Sequence, residues 1–169
     1  MATAHLVFGP TAAGKSNLAL QLASERNAVR FAVDEWMHEL FAPDALTPLE
    51  MAWVLPRVAR CQSRIWATCV QILASGRDVV LELGLLRRAD RQRVQALVEA
   101  ARHQPVFRFV DAERAVRWQR VLQRNQDKGP THSFDITAPM FEAMEQFFER
   151  PDAAEARVLG LPTSAPTHG

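Results

Sequence analysis

The chain of 169 residues has no tyrosine, only two cysteines and seven glycines, and just two lysines, Lys15 and Lys128, among its 20 basic residues. Without tyrosine it lacks one of the usual side chains on which nucleic-acid bases stack, and a net charge of +1 gives no field to draw in a polyanion. Cys61 and Cys69 stand eight positions apart, about 12 Å along a helix, which excludes a disulfide within one straight helix. The histidines at 5, 38, 103, 132 and 168 have no metal-ligand spacing with one another or with cysteine, which argues against structural zinc. No apolar run is long enough to cross a bilayer, and no basic segment opens the chain as in a signal peptide. Neither a membrane partner nor export is expected, and the expected compartment is the cytoplasm.

What is present alternates between two periodicities. Short apolar runs at 5–8, 28–34, 78–83 and 105–110 read as strands, and 156–161 reads as a fifth. Helices are expected at 17–26, 35–41, 56–75, 89–103, 112–124 and 137–150. Gly76 ends the third of these and Thr137 caps the last. Cys61 and Cys69 share a helical stripe with Val58, Ile65, Ile72 and Leu73, so both are expected in the core. Alternating strands and helices imply an α/β fold, a three-layer sandwich with a mostly parallel five-stranded sheet and helices on both faces. One domain over 1–161 is expected, followed by a loose tail over 162–169.

The segment Gly9-Pro10-Thr11-Ala12-Ala13-Gly14-Lys15-Ser16 spells the phosphate-binding loop GxxxxGK[ST], between an expected strand and an expected helix. Its glycines allow a tight turn that aims consecutive N–H groups at phosphate oxygens. Lys15 carries a point charge to the β- and γ-phosphates, and Ser16 offers a hydroxyl to Mg²⁺. The expected contacts of ATP are Gly9, Thr11, Ala12, Ala13, Gly14, Lys15, Ser16 and Asn17.

Parallel strands bring their C-terminal ends to the edge that carries this loop. Asp34, Glu82 and Asp111 fall there. Asp34 reads as the base that accepts a hydroxyl proton, and also as a helix cap. Glu82 reads as a metal carboxylate in a Walker-B-like position, with a packed ion pair as the alternative. Asp111 reads as an N-cap. Trp36 and His38, just beyond Asp34, are candidates for an acceptor pocket, with a core role for Trp36 as the alternative. Arg114, Arg117, Arg120 and Arg124 share one helix face. Arg120 and Arg124 are the two expected to close on ATP phosphates, as part of a lid over about 120–136.

Together these residues resemble the small bacterial P-loop kinase-like ATP-binding proteins, which are related in fold to zeta toxins, chloramphenicol phosphotransferase and polynucleotide 5′-kinase. The resemblance spans about 4–156. It rests on GPTAAGKS at 9–16, VDEWMHELF at 33–41, DVVLELGLLRRADR at 78–91, RVLQRN at 120–125 and ITAPMFEAMEQFFERP at 136–151. It implies that Lys15 and Ser16 bind phosphate and Mg²⁺, that Asp34 activates an acceptor, that Arg120 or Arg124 serves the lid, and that Arg88 and Arg91 lie near the acceptor, with an exposed salt bridge in the first turn of their helix as the alternative for both. The chain departs from the family pattern at His38, where arginine is common, and at Glu82, where aspartate is commoner. The function expected is transfer of the γ-phosphate of ATP to a hydroxyl of a small molecule. The alternatives are a polynucleotide 5′-hydroxyl kinase and a nucleotide-driven switch without an acceptor.

Overall fold

The computed structural model describes residues 1–45, 50–128 and 135–162. Its elements are β1 (Thr3–Phe8), α1 (Lys15–Glu25), β2 (Val29–Ala32), α2 (Val33–Phe41), a 3₁₀ turn (Ala42–Asp44), α3 (Met51–Ala74), β3 (Val79–Glu82), α4 (Arg88–Ala100), β4 (Gln104–Phe109), α5 (Arg114–Asp127), α6 (Ala138–Phe147) and α7 (Ala153–Val158). The described strands form one parallel sheet in the order β2-β3-β1-β4, with Leu6 opposite both Leu81 and Phe107. Among the described residues no helix is long and apolar enough to cross a membrane.

Alternation along β1 builds two cores. Ala4, Leu6 and Phe8 face Cys61, Ile65, Cys69 and Leu73 of α3 and Val94 and Val98 of α4. Val7 faces the other way, with Val80, onto Ala19 and Leu22 of α1. The sheet is thus covered on both faces, as parallel strands require. The cysteine stripe is buried as expected, and both thiols are free.

Four expectations are corrected. No described strand follows β4: residues 156–161 fall in α7 and the turn after it, because Asp152 caps that helix by accepting from the Glu155 N–H at 2.7 Å. α3 begins at Met51 rather than at Pro56. The Trp53 and Val54 amides already bond to the Glu50 carbonyl, and the proline, near the helix start, forgoes a single bond. Asp111 does not cap α5, whose N-cap is Glu113. It accepts instead from the Ala112 amide and from Arg150. β2 ends at Ala32, so Asp34 is held in the first turn of α2 rather than at a strand end. The lid stretch over 129–134 and the tail over 163–169 lie outside the described residues.

Two buried polar groups mark this fold. Arg91 is fully buried and pairs bidentately with Glu155 at 2.7 and 2.9 Å, which fastens α7 to α4. Removing one partner strands the other charge. Glu155→Ala is therefore expected to lower unfolding free energy by about 3–5 kcal/mol, against about 0–1 kcal/mol for Asp152→Ala at the exposed Arg88–Asp152 pair once the lost cap is subtracted. Chemical denaturation of both variants measures this. His5 is buried in β1, and burial holds its pKa below the ordinary 6.5 despite Asp78 at 3.5 Å, with Arg108 and Arg26 also pushing it down. The unfolded chain binds this proton first, so the stability it contributes is whole above about pH 6.5 and is lost as pH falls below that value. Denaturation midpoints between about pH 8 and about pH 5 are expected to drop more steeply in the wild type than in His5→Asn.

Candidate nucleotide and phosphoryl-transfer site

The loop between β1 and α1 crosses the C-terminal edge of the sheet. Gly9 has φ 152° and sits so close to β4 that an added Cβ would lie 1.9 Å from the Val110 carbonyl oxygen. No side chain fits there. Gly14 is required for a different reason: an added Cβ would meet only ordinary contacts, at 3.9 Å to Arg120 and Val110, but its φ of 108° lies in left-handed territory. Ala12 also has positive φ, at 59°. Gly14 is the N-cap of α1, and no side chain caps that helix. Its leading N–H groups therefore face the cavity without intrahelical partners, which suits an anion.

A cavity of about 220 Å³ opens above this loop. Lys15, Ser16, Asp34, Glu82, Arg120 and Arg124 all line it. Lys15 Nζ donates to the Gly9 and Pro10 carbonyls at 3.0 and 2.8 Å. Burial lowers its pKa, while Asp34 and Glu82 work against that shift. Ser16 Oγ donates to Glu82 Oε2 at 3.0 Å on the cavity floor. A hydroxyl and a carboxylate side by side are hard oxygen donors of the kind Mg²⁺ takes when phosphates complete its shell. These two residues fit the metal.

Asp34 lines the cavity and is solvent-exposed there, with the protein mass of the cavity walls around it. That confinement raises its pKa above the ordinary 3.8, and Lys15 and Arg124 pull it back down. Arg124, on α5, has a buried Nε without a hydrogen-bond partner, and burial lowers its pKa while Asp34 opposes the shift. Arg120 donates to the carbonyls of Ala12 and Ala13 at 3.3 and 3.1 Å. Neither Arg120 nor Arg124 has a carboxylate at ion-pair distance among the described residues, so both keep their charge available to phosphate.

The arginine stripe is divided by its partners. Arg114 pairs with Glu142 on the surface. Arg117 is fully buried and forks onto Glu145 at 2.6 and 2.7 Å while also donating to the Thr11 carbonyl, which ties α6 to the loop. Thr11 Oγ1 adds a contact to Met144 Sδ at 3.4 Å. The cavity also includes two residues that the sequence reading missed, Arg30 and Glu35. Arg30 donates from Nε to Glu82 at 2.7 Å and forks onto Glu35 at 2.7 and 3.1 Å. A charged residue inside an apolar strand was the available signal.

The four acceptor-side candidates do not line the cavity. Trp36 packs against the core and against Phe31. His38 points from the exposed face of α2. Arg88 pairs with Asp152, and the burial of Arg91 against Glu155 removes it from any acceptor, a correction to its expected place.

A family model described as "AAA domain" matches residues 5–151. The chain belongs to the AAA domain family. Comparison with curated proteins returns no match. Among solved structures, this AAA domain is similar to a candidate kinase from Chloroflexus aurantiacus, with a TM-score of 0.70, 22% identity, and coverage of 98% of this chain and 85% of the other. It is also similar to Kti12 from Chaetomium thermophilum in complex with ADP-AlF3 (TM-score 0.67, 12% identity, 89% and 82% covered). A gluconokinase from Sinorhizobium meliloti matches with a TM-score of 0.60, 18% identity and coverage of 89% and 77%. At these identities the likeness concerns the fold, which is that of the P-loop kinases.

Among the described residues Lys15 makes no contact with a carboxylate at hydrogen-bond distance, so its charge is free to turn from two carbonyls to a phosphate. Lys15→Ala is expected to weaken binding of ATP with Mg²⁺ by about 10- to 100-fold, the range for loss of one charged hydrogen bond. Titration calorimetry reads the affinity, and an unchanged value would contradict the role of the loop.

Proposed function

We propose that this AAA domain is an ATP-dependent phosphotransferase that moves the γ-phosphate to a hydroxyl of a small molecule. The observation that carries the proposal is the meeting of Asp34 with Lys15, Ser16 and Arg124 in one cavity. A cavity built only to hold nucleotide has no need of a carboxylate that stands in it with no hydrogen-bond partner among the described residues.

The loop amides and Lys15 hold the triphosphate. Ser16 and Glu82 would hold Mg²⁺, which when bound would supply positive charge against the phosphates. Arg124 and Arg120 neutralise charge that spreads over the transferring group. Asp34 accepts the proton of the acceptor hydroxyl as its oxygen bonds to the γ-phosphorus. The bond from that phosphorus to the β–γ bridging oxygen breaks, and ADP leaves with the electron pair. Once phosphates engage Lys15 and Arg124, the charges that pull the Asp34 pKa down are themselves neutralised.

Asp34→Asn is expected to keep ATP affinity and lose transfer by about 100-fold or more. Wild-type transfer is expected to rise with pH through an acid limb above the ordinary aspartate value of 3.8, the limb on which Asp34 ionises. Steady-state rates with labelled ATP and a pool of alcohols measure both. Full transfer by Asp34→Asn would refute the base. Hydrolysis that no alcohol accelerates would mark a nucleotide-driven switch instead.

A further inference from the structure

The charges around the cavity are not spread evenly. The strand order puts β3 and β2 on one side of the loop and β4 with α5 on the other. On the α5 side, Arg120 donates to carbonyls, Arg124 Nε has no hydrogen-bond partner, and neither arginine has a carboxylate at ion-pair distance among the described residues. On the β2–β3 side the reverse holds. Arg30 is the only cation of that side among the described residues that line the cavity, and two carboxylates hold it, Glu82 at 2.7 Å and Glu35 at 2.7 and 3.1 Å.

Two of the three arginines behind this side are neutralised as well. Arg88 pairs with Asp152, and Arg91 is buried against Glu155. Arg87 lies outside the cavity, its guanidinium 5.6 Å from the Phe147 ring centre. What the β2–β3 side does offer an incoming molecule is Asp34 and Glu35, the bare backbone at Gly84, and the apolar side chains of Leu85 and Leu86, with Met144 across from them.

We infer that the acceptor is an uncharged alcohol with an apolar face, and not an alcohol that carries a phosphate, sulfate or carboxylate. Resting on the phosphotransferase reading, this deepens it to a substrate class. An anionic acceptor would enter next to two carboxylates and the bound triphosphate. Arg30, the guanidinium of that side among the described residues, would have to abandon Glu35 or Glu82 to meet it. Leaving Glu82 would also release the carboxylate that Ser16 shares. A neutral polyol or aryl-alkyl alcohol asks none of this: its hydroxyl meets Asp34 and its carbon frame covers Leu86 and Met144. Glu35 acts here as a specificity residue, because it occupies the guanidinium that would otherwise receive an anion.

Two measurements test this. The first offers the wild-type enzyme, ATP and Mg²⁺ two matched pools of alcohols, one uncharged and one with the same frames bearing a phosphate or carboxylate. Labelled phosphate is expected in the uncharged pool. Transfer mainly to the anionic pool would overturn the inference and leave the phosphotransferase reading standing. Transfer to neither, with ATP still bound, would overturn that reading and this inference with it. The second uses glycerol 3-phosphate as an anion probe, titrated by calorimetry into protein saturated with a non-hydrolysable ATP analogue and Mg²⁺. Glu35→Gln frees Arg30 and is expected to bind the probe at least about 10-fold more tightly than the wild type, as for a gained charged hydrogen bond. No gain in the variant, or wild-type binding just as tight, would overturn the assignment of Glu35.

Discussion

The closeness of Gly9 to the Val110 carbonyl is the constraint on which the site depends. It allows the chain leaving β1 to turn back beneath the start of α5 and present α1 end-on to the cavity. Gly14 then supplies the left-handed turn that leaves the first amides of α1 pointing outward. Arg117 and Arg120 fix the outer side of the same loop through the carbonyls of Thr11, Ala12 and Ala13. The carbonyls are thus occupied by arginines and Lys15, and the amides are left for an anion.

The floor of the cavity is held by a second, ionic chain. Ser16, Glu82, Arg30 and Glu35 form one line of hydrogen bonds from α1 through β3 and β2 to α2. It runs through β3 and β2, which are adjacent in the sheet, so the orientation of the Glu82 carboxylate is coupled to the helix that carries Asp34. Glu82 is longer than aspartate by one methylene, and that length lets it reach Ser16 with one oxygen while Arg30 holds the other. Of the two roles expected for this residue the ion pair is present, and it sets the orientation of the oxygen that faces Ser16.

Local signals were the legible ones. The loop motif, the four described strands, the buried cysteine stripe and the Thr137 cap, whose side chain accepts from the Met140 amide, all depend on residues within a few positions of one another. Partners distant in sequence were not legible. Nothing near Arg91 points to Glu155, 64 positions away, and nothing near Arg117 points to Glu145, 28 positions away. The four-arginine stripe looks uniform on a helical wheel, yet tertiary partners divide it into a surface pair, a buried strut and two phosphate candidates. At 156–161 a local signal was present and misread. The spacing of Asp152 and Glu155 is that of a helix cap, and the apolar residues beyond it suggested a strand.

The account depends most on the donor lying in the loop with its terminal phosphate turned toward Asp34. A crystal structure with a non-hydrolysable ATP analogue and Mg²⁺ examines that arrangement directly. The expected result has the β-phosphate on the amides of Gly14 to Ser16, Lys15 drawn away from the Gly9 and Pro10 carbonyls, and the γ-phosphate facing the Asp34 carboxylate. A nucleotide bound elsewhere, or a γ-phosphate turned from Asp34 with Lys15 still on its two carbonyls, would contradict it.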